Sequence, residues 1–477
     1  MKKNYQRETR LYWLRVWLLF VSATAAHAQT TQTPIIQWQR LLGRSYGSSP
    51  YQPRVVRANS DGYAVLHRKV IRLDDSGNTI WETILPDPPE YPGYYTITTH
   101  IAAAPDGGFG VLAYNRFKWS LFRLNADGSI RWNKTFVEST ETSTSATREF
   151  AGLICTADGG FLAAATMGYS RSSFGTELYK FDAAGNNTIT SSVNIPAGNE
   201  PRTYSSVRQI VQMPDGTYTL VGRANGASSS PADWVVKLDS QLAVVWQKNK
   251  GGRGLDRVIV SPYDNTAVLA VGSATGTDTR SLMISANGDI TDGVTLANRA
   301  NFTTSFLVAG ANPNSHTIVD VVSERQGDIR LQTVVGQTLS YQQKLGGSGT
   351  ETVTDAVAGA DGGFLVIGTT TSTDGDIQGK TNTDAEVWLV KVGPVSNNVY
   401  SVKSGNWNDP SVWSCNCVPA AWQNVTISDT HTVRLDATMP AAACLNLEIV
   451  GTFSMQGSSI TINGASVTLD DTNVVTN

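Results

Sequence analysis

The side chains able to do chemistry in this 477-residue chain are few and scattered. No His-Glu-x-x-His, Gly-x-Ser-x-Gly or phosphate-loop pattern occurs, so zinc-protease, serine-hydrolase and nucleotidase chemistries lack their usual framework. After a possible leader, the histidines are His67, His100, His316 and His431, in unrelated contexts. Asp374, Asp376 and Asp384 lie within one loop, and several oxygens in a flexible loop can hold Ca²⁺. Asx turns that stabilise the loop are the alternative reading. Tyr114, Arg116 and Trp119, with Arg253, Asp256 and Arg257, fall in predicted connections. Stacking and hydrogen bonding there would suit a glycan or peptide. Of the cysteines, Cys155 reads as a lone buried thiol, and Cys417–Cys444 is the expected bridge, ahead of Cys415–Cys444. Zinc is not expected, because Cys-x-Cys is not the usual ligand spacing and only His431 is near.

These residues would be positioned by a repeat. Asp61-Gly62-Tyr63, Asp106-Gly107-Gly108-Phe109, Asp158-Gly159-Gly160-Phe161, Asp215-Gly216-Thr217-Tyr218 and Asp361-Gly362-Gly363-Phe364 share a tight turn running into an apolar strand. Asp264-Asn265-Thr266 is a weaker copy, and Asn312-Pro313-Asn314-Ser315 a degenerate one. That gives seven copies with a mean step of (361−61)/6 = 50 residues, the length of a four-stranded propeller blade. Gly after Asp supplies the positive φ of a hairpin turn. A lone four-stranded unit cannot bury both faces, so the copies must stack. Each unit is read as strands a to d, with the Asp-Gly turn joining a to b.

The expected fold is all-β: a seven-bladed β-propeller over residues 34–394, a linker at 395–400, and a β-solenoid-like module at 401–477. The last copy ends at Trp388-Leu389-Val390-Lys391-Val392 without a fourth strand. Ile36-Gln37-Trp38-Gln39-Arg40-Leu41-Leu42-Gly43 matches the outer strands of other copies and can complete it. The module holds short strands at regular spacing with Gly or Asn between them; a small β-sandwich is the alternative. In the ring, the a–b and c–d turns share one face and are tight. The longer d–a and b–c loops share the other, which is where binding is expected.

Residues 1–28 read as a signal peptide: Lys2 and Lys3, an apolar run from Leu11 to Val21 broken by Arg15, then Ala26-His27-Ala28. The run is short for a membrane anchor, and no later stretch is long enough to span a bilayer. A formal net charge of −3 and the lack of a basic tract argue against nucleic acid as a partner.

The Asp-Gly-Gly-Phe repeats, the downstream Trp388-Leu389-Val390-Lys391-Val392 strand and the loop Thr371 to Gly379 resemble propeller repeats of secreted proteins from Bacteroidetes-type bacteria. Ser404-Gly405-Asn406-Trp407 resembles the opening of β-helical surface modules from the same bacteria. The resemblance implies export and work at or beyond the cell surface, with no established catalytic residues. Leu124-Asn125-Ala126-Asp127-Gly128, leading to Trp132, also resembles a quinoprotein blade, where the motif is structural and the Trp docks between blades. The resulting expectation is a monomeric secreted or cell-surface scaffold without cofactor, apart from possible Ca²⁺, binding an extracellular glycan or protein. The alternative is an extracellular carbohydrate-active enzyme with carboxylates in the ring's central pocket.

Overall fold

The computed structural model describes residues 36–476 apart from 46–51, 60, 88–95, 116–117, 139–145, 170–172, 194–203, 226–231, 252–254, 273–277, 298–304, 311–314, 323–326, 394–397, 415–417, 420–422, 437–441, 445, 457, 463–464 and 469–473. The signal-peptide expectation at 1–28 lies outside the described residues. Seven four-stranded antiparallel sheets follow one another along the chain. Their a strands are Arg54–Arg57, Ile97–Ala103, Ala146–Cys155, Tyr204–Gln212, Leu255–Val260, Phe306–Ala309 and Glu351–Ala358, numbered here as blades 1 to 7. Each a strand neighbours the a strand of the next blade, and that of blade 7 neighbours that of blade 1, so the a strands form the inner ring of a closed propeller.

Closure is by the amino-terminal strand. Ile36–Arg44 pairs antiparallel with Glu386–Val392 and supplies strand d of blade 7. The resulting order, Ile36–Arg44, Glu386–Val392, Phe364–Thr370 and Glu351–Ala358, is the circular completion expected from the sequence. Between blades, alternating apolar residues interdigitate. Tyr63, Val65, Ile71 and Leu73 of blade 1, for example, pack with Leu365, Ile367, Val387 and Leu389 of blade 7. Each such fully buried aliphatic side chain is worth about 1.5–3 kcal/mol.

Two polar devices repeat from blade to blade. The first ties the Asp of the a–b turn to a cation one residue before the end of strand c. The pairs are Asp61–Arg72, Asp106–Arg123, Asp158–Lys180, Asp215–Lys237 and Asp361–Lys391. The cation is buried and the carboxylate half-exposed, so each charge leaves water only with its partner in reach. Blades 5 and 6 carry Met283 and Val334 at the matching register and have the divergent turns. The seam between them holds instead a buried Arg330–Asp320 pair, with Thr279 donating to Asp320 at 2.7 Å.

The second device is the expected tryptophan docking. Trp38, Trp81 and Trp246 on d strands each donate Nε1 to a carbonyl of the next blade's c–d turn, Asp75, Ala126 and Ala286, at 2.8 Å. The indole of Trp81 lies flat on Gly128, where a Cβ would sit 2.6 Å from the ring. Blade 3, which lacks the Trp, has no such contact from its d strand, Asn187–Val193.

The carboxy-terminal segment is wound in parallel. Asn398–Tyr400, Asn424–Ile427 and Asn446–Ile449 stack in register, as do Gly405–Asn406, Thr432–Asp436 and Thr452–Gln456. The same segment also holds antiparallel pairs, Thr452–Gln456 with Val474–Thr476 and Ser459–Ile462 with Ala465–Thr468. Asn398, Asn424 and Asn446 form a side-chain ladder with amide bonds of 2.7 and 2.8 Å. Val399, Val425, Trp407, Trp413 and Phe453 fill the core inside the coils. Cys444 is a free, buried thiol whose pKa burial pushes up to about 11. Cys417, its expected partner in a bridge, lies outside the described residues. Cys155, also free, is half-buried on strand a of blade 3.

Two predictions test these devices. Gly128 and Gly216 both have φ above +80°, but a Cβ at Gly216 would meet open space. Gly216→Ala should therefore cost only the left-handed strain, about 1–2 kcal/mol, and Gly128→Ala clearly more, read from denaturant midpoints; equal losses would show that the docking contributes nothing. Asp106, Asp158, Asp215 and Asp361 are all held below the usual carboxylate range. For Asp158 the Thr156 hydroxyl is the leading cause; for the other three, burial opposes and turn hydrogen bonds with the paired cation prevail. Their contribution is present above the unfolded pKa, about 4, and lost as pH falls through the folded values. The thermal midpoint should hold from pH 7 to about 5, drop steeply below about 4, and drop less in Asp106→Asn.

Candidate functional site

The inner ring is built by a local irregularity that repeats. In blades 2, 3, 4, 5 and 7 a one-residue register shift interrupts the a–b pairing, at Thr98/His100, Phe150/Gly152, Val207/Gln209, Leu255/Arg257 and Val353/Asp355. Such a bulge bends the strand and re-aims side chains. Counting back from the turns places Arg54, His100 and Gly152 of blades 1 to 3 at one level with Gln209, Arg257 and Phe306 of blades 4 to 6 and Asp355 of blade 7. Several of these clip one blade to the next. Asp355 Oδ2 accepts the Val55 amide at 3.1 Å, and Gln209 Oε1 accepts the Val258 amide at 2.9 Å. Asp256, one residue before the level, accepts the Ser305 amide at 3.4 Å.

The charges at this level act on one another across the channel. Burial, then Arg54 and Arg257, hold His100 well below its ordinary pKa. Burial, then the like charge of Arg54, lowers Arg257 to about 10. Burial pushes Asp355 up, against the pull of Arg54 and Arg257. Arg257 lies over the Phe306 ring, 4.7 Å from its centroid.

The sequence-predicted residues are thus redistributed. Asp256 and Arg257 were expected on an exposed d–a loop, but stand on strand a of blade 5 in the channel wall, because Leu255–Val260 starts earlier than its charged composition suggests. Trp119 was expected to be available to a ligand; it is 8% exposed, against Tyr114 at 5.0 Å and Phe150 at 4.5 Å between ring centroids. The reason is the cross-strand pair Tyr114–Trp119: both residues lie within strands, and the connection between Asn115 and Lys118 is two residues long. Tyr114 is half-buried, and burial raises its pKa. Arg116 and Arg253 lie outside the described residues.

Asp374, Asp376 and Asp384 are not gathered around a common point. Asp374 accepts the Ser348 amide at 2.7 Å, Asp376 accepts the Gly346 amide at 3.0 Å, and Asp384 pairs with Arg44 at 2.8 Å. With Ser372 and Thr370 bonded to buried Glu351, these contacts clasp the loop after Phe364–Thr370 to its neighbours. Among the described residues, no group of three or more His, Cys, Asp or Glu side chains is arranged to hold a metal ion.

The loop-rich face also carries a cavity of about 520 Å³ where blades 7, 1 and 2 meet, which no single stretch of sequence announces. Leu42, Leu66, Ile84, Leu85 and Ile97 supply its apolar lining, and Arg44, Arg68 and Lys69 its basic part. Ile84 is 75% exposed, a large apolar side chain turned to solvent at the cavity. Arg68 is the lone residue between the paired His67 and Lys69 and has φ of 61°, a conformation that costs a non-glycine residue about 1 kcal/mol or more. His67, buried beside it, is held below its ordinary pKa by burial first and then by Arg68 and Lys69.

Neither a family model nor a curated protein matches the sequence. Among solved structures, a protein from Lactobacillus plantarum is 15% identical, covering 68% of this chain and 90% of its own, with a TM-score of 0.44. A cobalt-substituted apocarotenoid oxygenase from Synechocystis is 11% identical, covering 66% and 78%, with a TM-score of 0.40. A subtype N10 neuraminidase-like protein of A/little yellow-shouldered bat/Guatemala/060/2010 is 8% identical, covering 62% and 95%, with a TM-score of 0.37. Likenesses this distant bear on neither the activity nor the ligand of this chain.

The strain at Arg68 gives a direct test. Arg68→Gly should raise stability by about 1 kcal/mol, because glycine adopts this φ freely. Unfolding midpoints of Arg68→Gly and Arg68→Ala separate relief of strain from loss of the side chain; equal values would refute the strain.

Proposed function

We propose that the chain is an exported, non-enzymatic interaction scaffold that binds a glycan or protein at the cell surface or beyond it. The observation that carries this reading is the seam cavity on the loop-rich face. Its volume suits a sugar or a few peptide side chains, and it combines an apolar lining with Asp87, Arg44, Arg68 and Lys69, of which Arg44 pairs with Asp384 and Lys69 with Glu82. The propeller supplies a rigid frame, and the carboxy-terminal coil a stalk or spacer. The signal-like first 28 residues and the resemblance to secreted propeller repeats support export. The scaffold works as a monomer, since its blades close on themselves. The alternative, a carbohydrate-active enzyme with carboxylates in the central pocket, has less support: Asp256 and Asp355 both accept backbone amides and stand beside arginines.

The test is a glycan-array and peptide-library screen of the full chain, with and without Ca²⁺, followed by titration of hits against variants. Lys69→Ala and Ile84→Asp should each weaken binding by at least about tenfold, a loss of about 1.4 kcal/mol. Dependence on Ca²⁺ that is lost in Asp374→Asn would restore the metal reading of that loop. No hit, or hits indifferent to both cavity variants, would remove the proposal.

A further inference from the structure

The seam cavity exists because blade 1 is short. Its strands b and c, Tyr63–His67 and Lys69–Leu73, are five residues long and joined by Arg68 alone. Strand b runs seven residues in blade 2, Phe109–Asn115, and in blade 7, Phe364–Thr370. All three start directly after the a–b turn, so the neighbours reach about 7 Å further toward the loop-rich face. Asn115 ends that overhang in blade 2. Phe109, Val111 and Ala113 point from strand b into the core shared with blade 1, and the two-residue alternation puts Asn115 on the same face. The register that pairs Tyr114 with Ile97 sets Asn115 beside Thr96, and residues 96–98 line the cavity. Asn115 is 8% exposed, yet neither its Oδ1 nor its Nδ2 has a hydrogen-bond partner. A buried carboxamide without partners is destabilising, and an apolar residue would serve the fold better there.

The rest of the lining says what would meet that amide. Leu42, Leu66, Ile84 and Leu85 are aliphatic, and the hydroxyls around a sugar ring would lose water against them without gaining partners. Charged groups at the cavity are engaged within the protein: Arg44 with Asp384, Lys69 with Glu82, and Asp87 with the Thr96 amide at 2.7 Å. A carboxamide offers one acceptor and one donor group, the complement of the N–H and C=O of a peptide backbone. We propose that the ligand of the seam cavity is a peptide segment. An aliphatic side chain enters above the short blade, and the Asn115 carboxamide pairs with the backbone beside it. This rests on the reading of the cavity as the binding site and narrows its ligand from glycan or protein to an extended stretch of protein.

The test pans a phage-displayed random heptapeptide library on the full chain, alongside a glycan array. Peptide hits are remade with blocked termini and titrated. They should share one Leu, Ile or Val, and replacing it with Gly should weaken binding by about tenfold. Methylating the peptide nitrogen beside that residue should weaken binding to the wild type by a similar factor, but leave binding to Asn115→Leu unchanged. Asn115→Leu should itself melt no lower than the wild type; a lower midpoint would show that the amide serves the fold, and overturns the proposal. Equal losses on N-methylation in both proteins, or hits without a common aliphatic residue, overturn it too. Glycan hits weakened by Ile84→Asp, with no peptide hit, overturn it while leaving the scaffold reading intact. No hit of either kind removes both.

Discussion

A stack of four-stranded sheets has two raw ends, and the fold depends on joining them. Every blade buries both faces against neighbours, so an open row would leave blade 1 and blade 7 each with an apolar face in water. Pairing Ile36–Arg44 with Glu386–Val392 removes that exposure and locks the first described strand to the last strand of the ring. Gln39 of the closing strand then serves as a polar hub. It accepts from Trp388 Nε1 at 3.0 Å and donates to the Asp376 carbonyl at 2.7 Å, so closure also fixes the long loop of blade 7.

Within that frame the blades are held by polar contacts placed where apolar packing stops. The turn aspartate and its buried cation tie strands a and c of one blade, while the tryptophan ties one blade to the next turn. Blades 5 and 6 lack the first device and use a buried Asp320–Arg330 pair that also reaches Thr279 of the preceding blade. The same role is thus taken by a desolvated ion pair whose geometry has both carboxylate oxygens occupied, the condition under which such a pair is tolerable.

The architecture was legible because its signals are local. Asp-Gly turns, alternating strands and a docking tryptophan lie within one copy of the repeat, and the closing strand resembles its counterparts in other copies. The turn-bound cations were legible too, in retrospect: Arg72, Arg123, Lys180, Lys237 and Lys391 all stand one residue before the end of strand c. The sites were not, for a physical reason. The channel level depends on bulges that displace register by one residue without a sequence marker, which moved Asp256 and Arg257 from a supposed loop into the wall. The seam cavity draws on residues 42–44, 52, 66–69, 84, 85, 87 and 96–98, which meet only after the ring closes. Trp119 was misplaced because aromatic residues beside a polar connection look solvent-facing, whereas a two-residue connection keeps both inside the sheet.

The asparagine ladder of the carboxy-terminal coil has a consequence for how that coil tolerates change. Its rungs are 26 and 22 residues apart in sequence, yet each amide meets the one below it at ordinary hydrogen-bond length. The ladder therefore works as a ruler: it indexes each turn of the winding from one fixed corner, and any surplus length is pushed outward into the connections. Such a coil can acquire or shed surface segments while its interior stays in step.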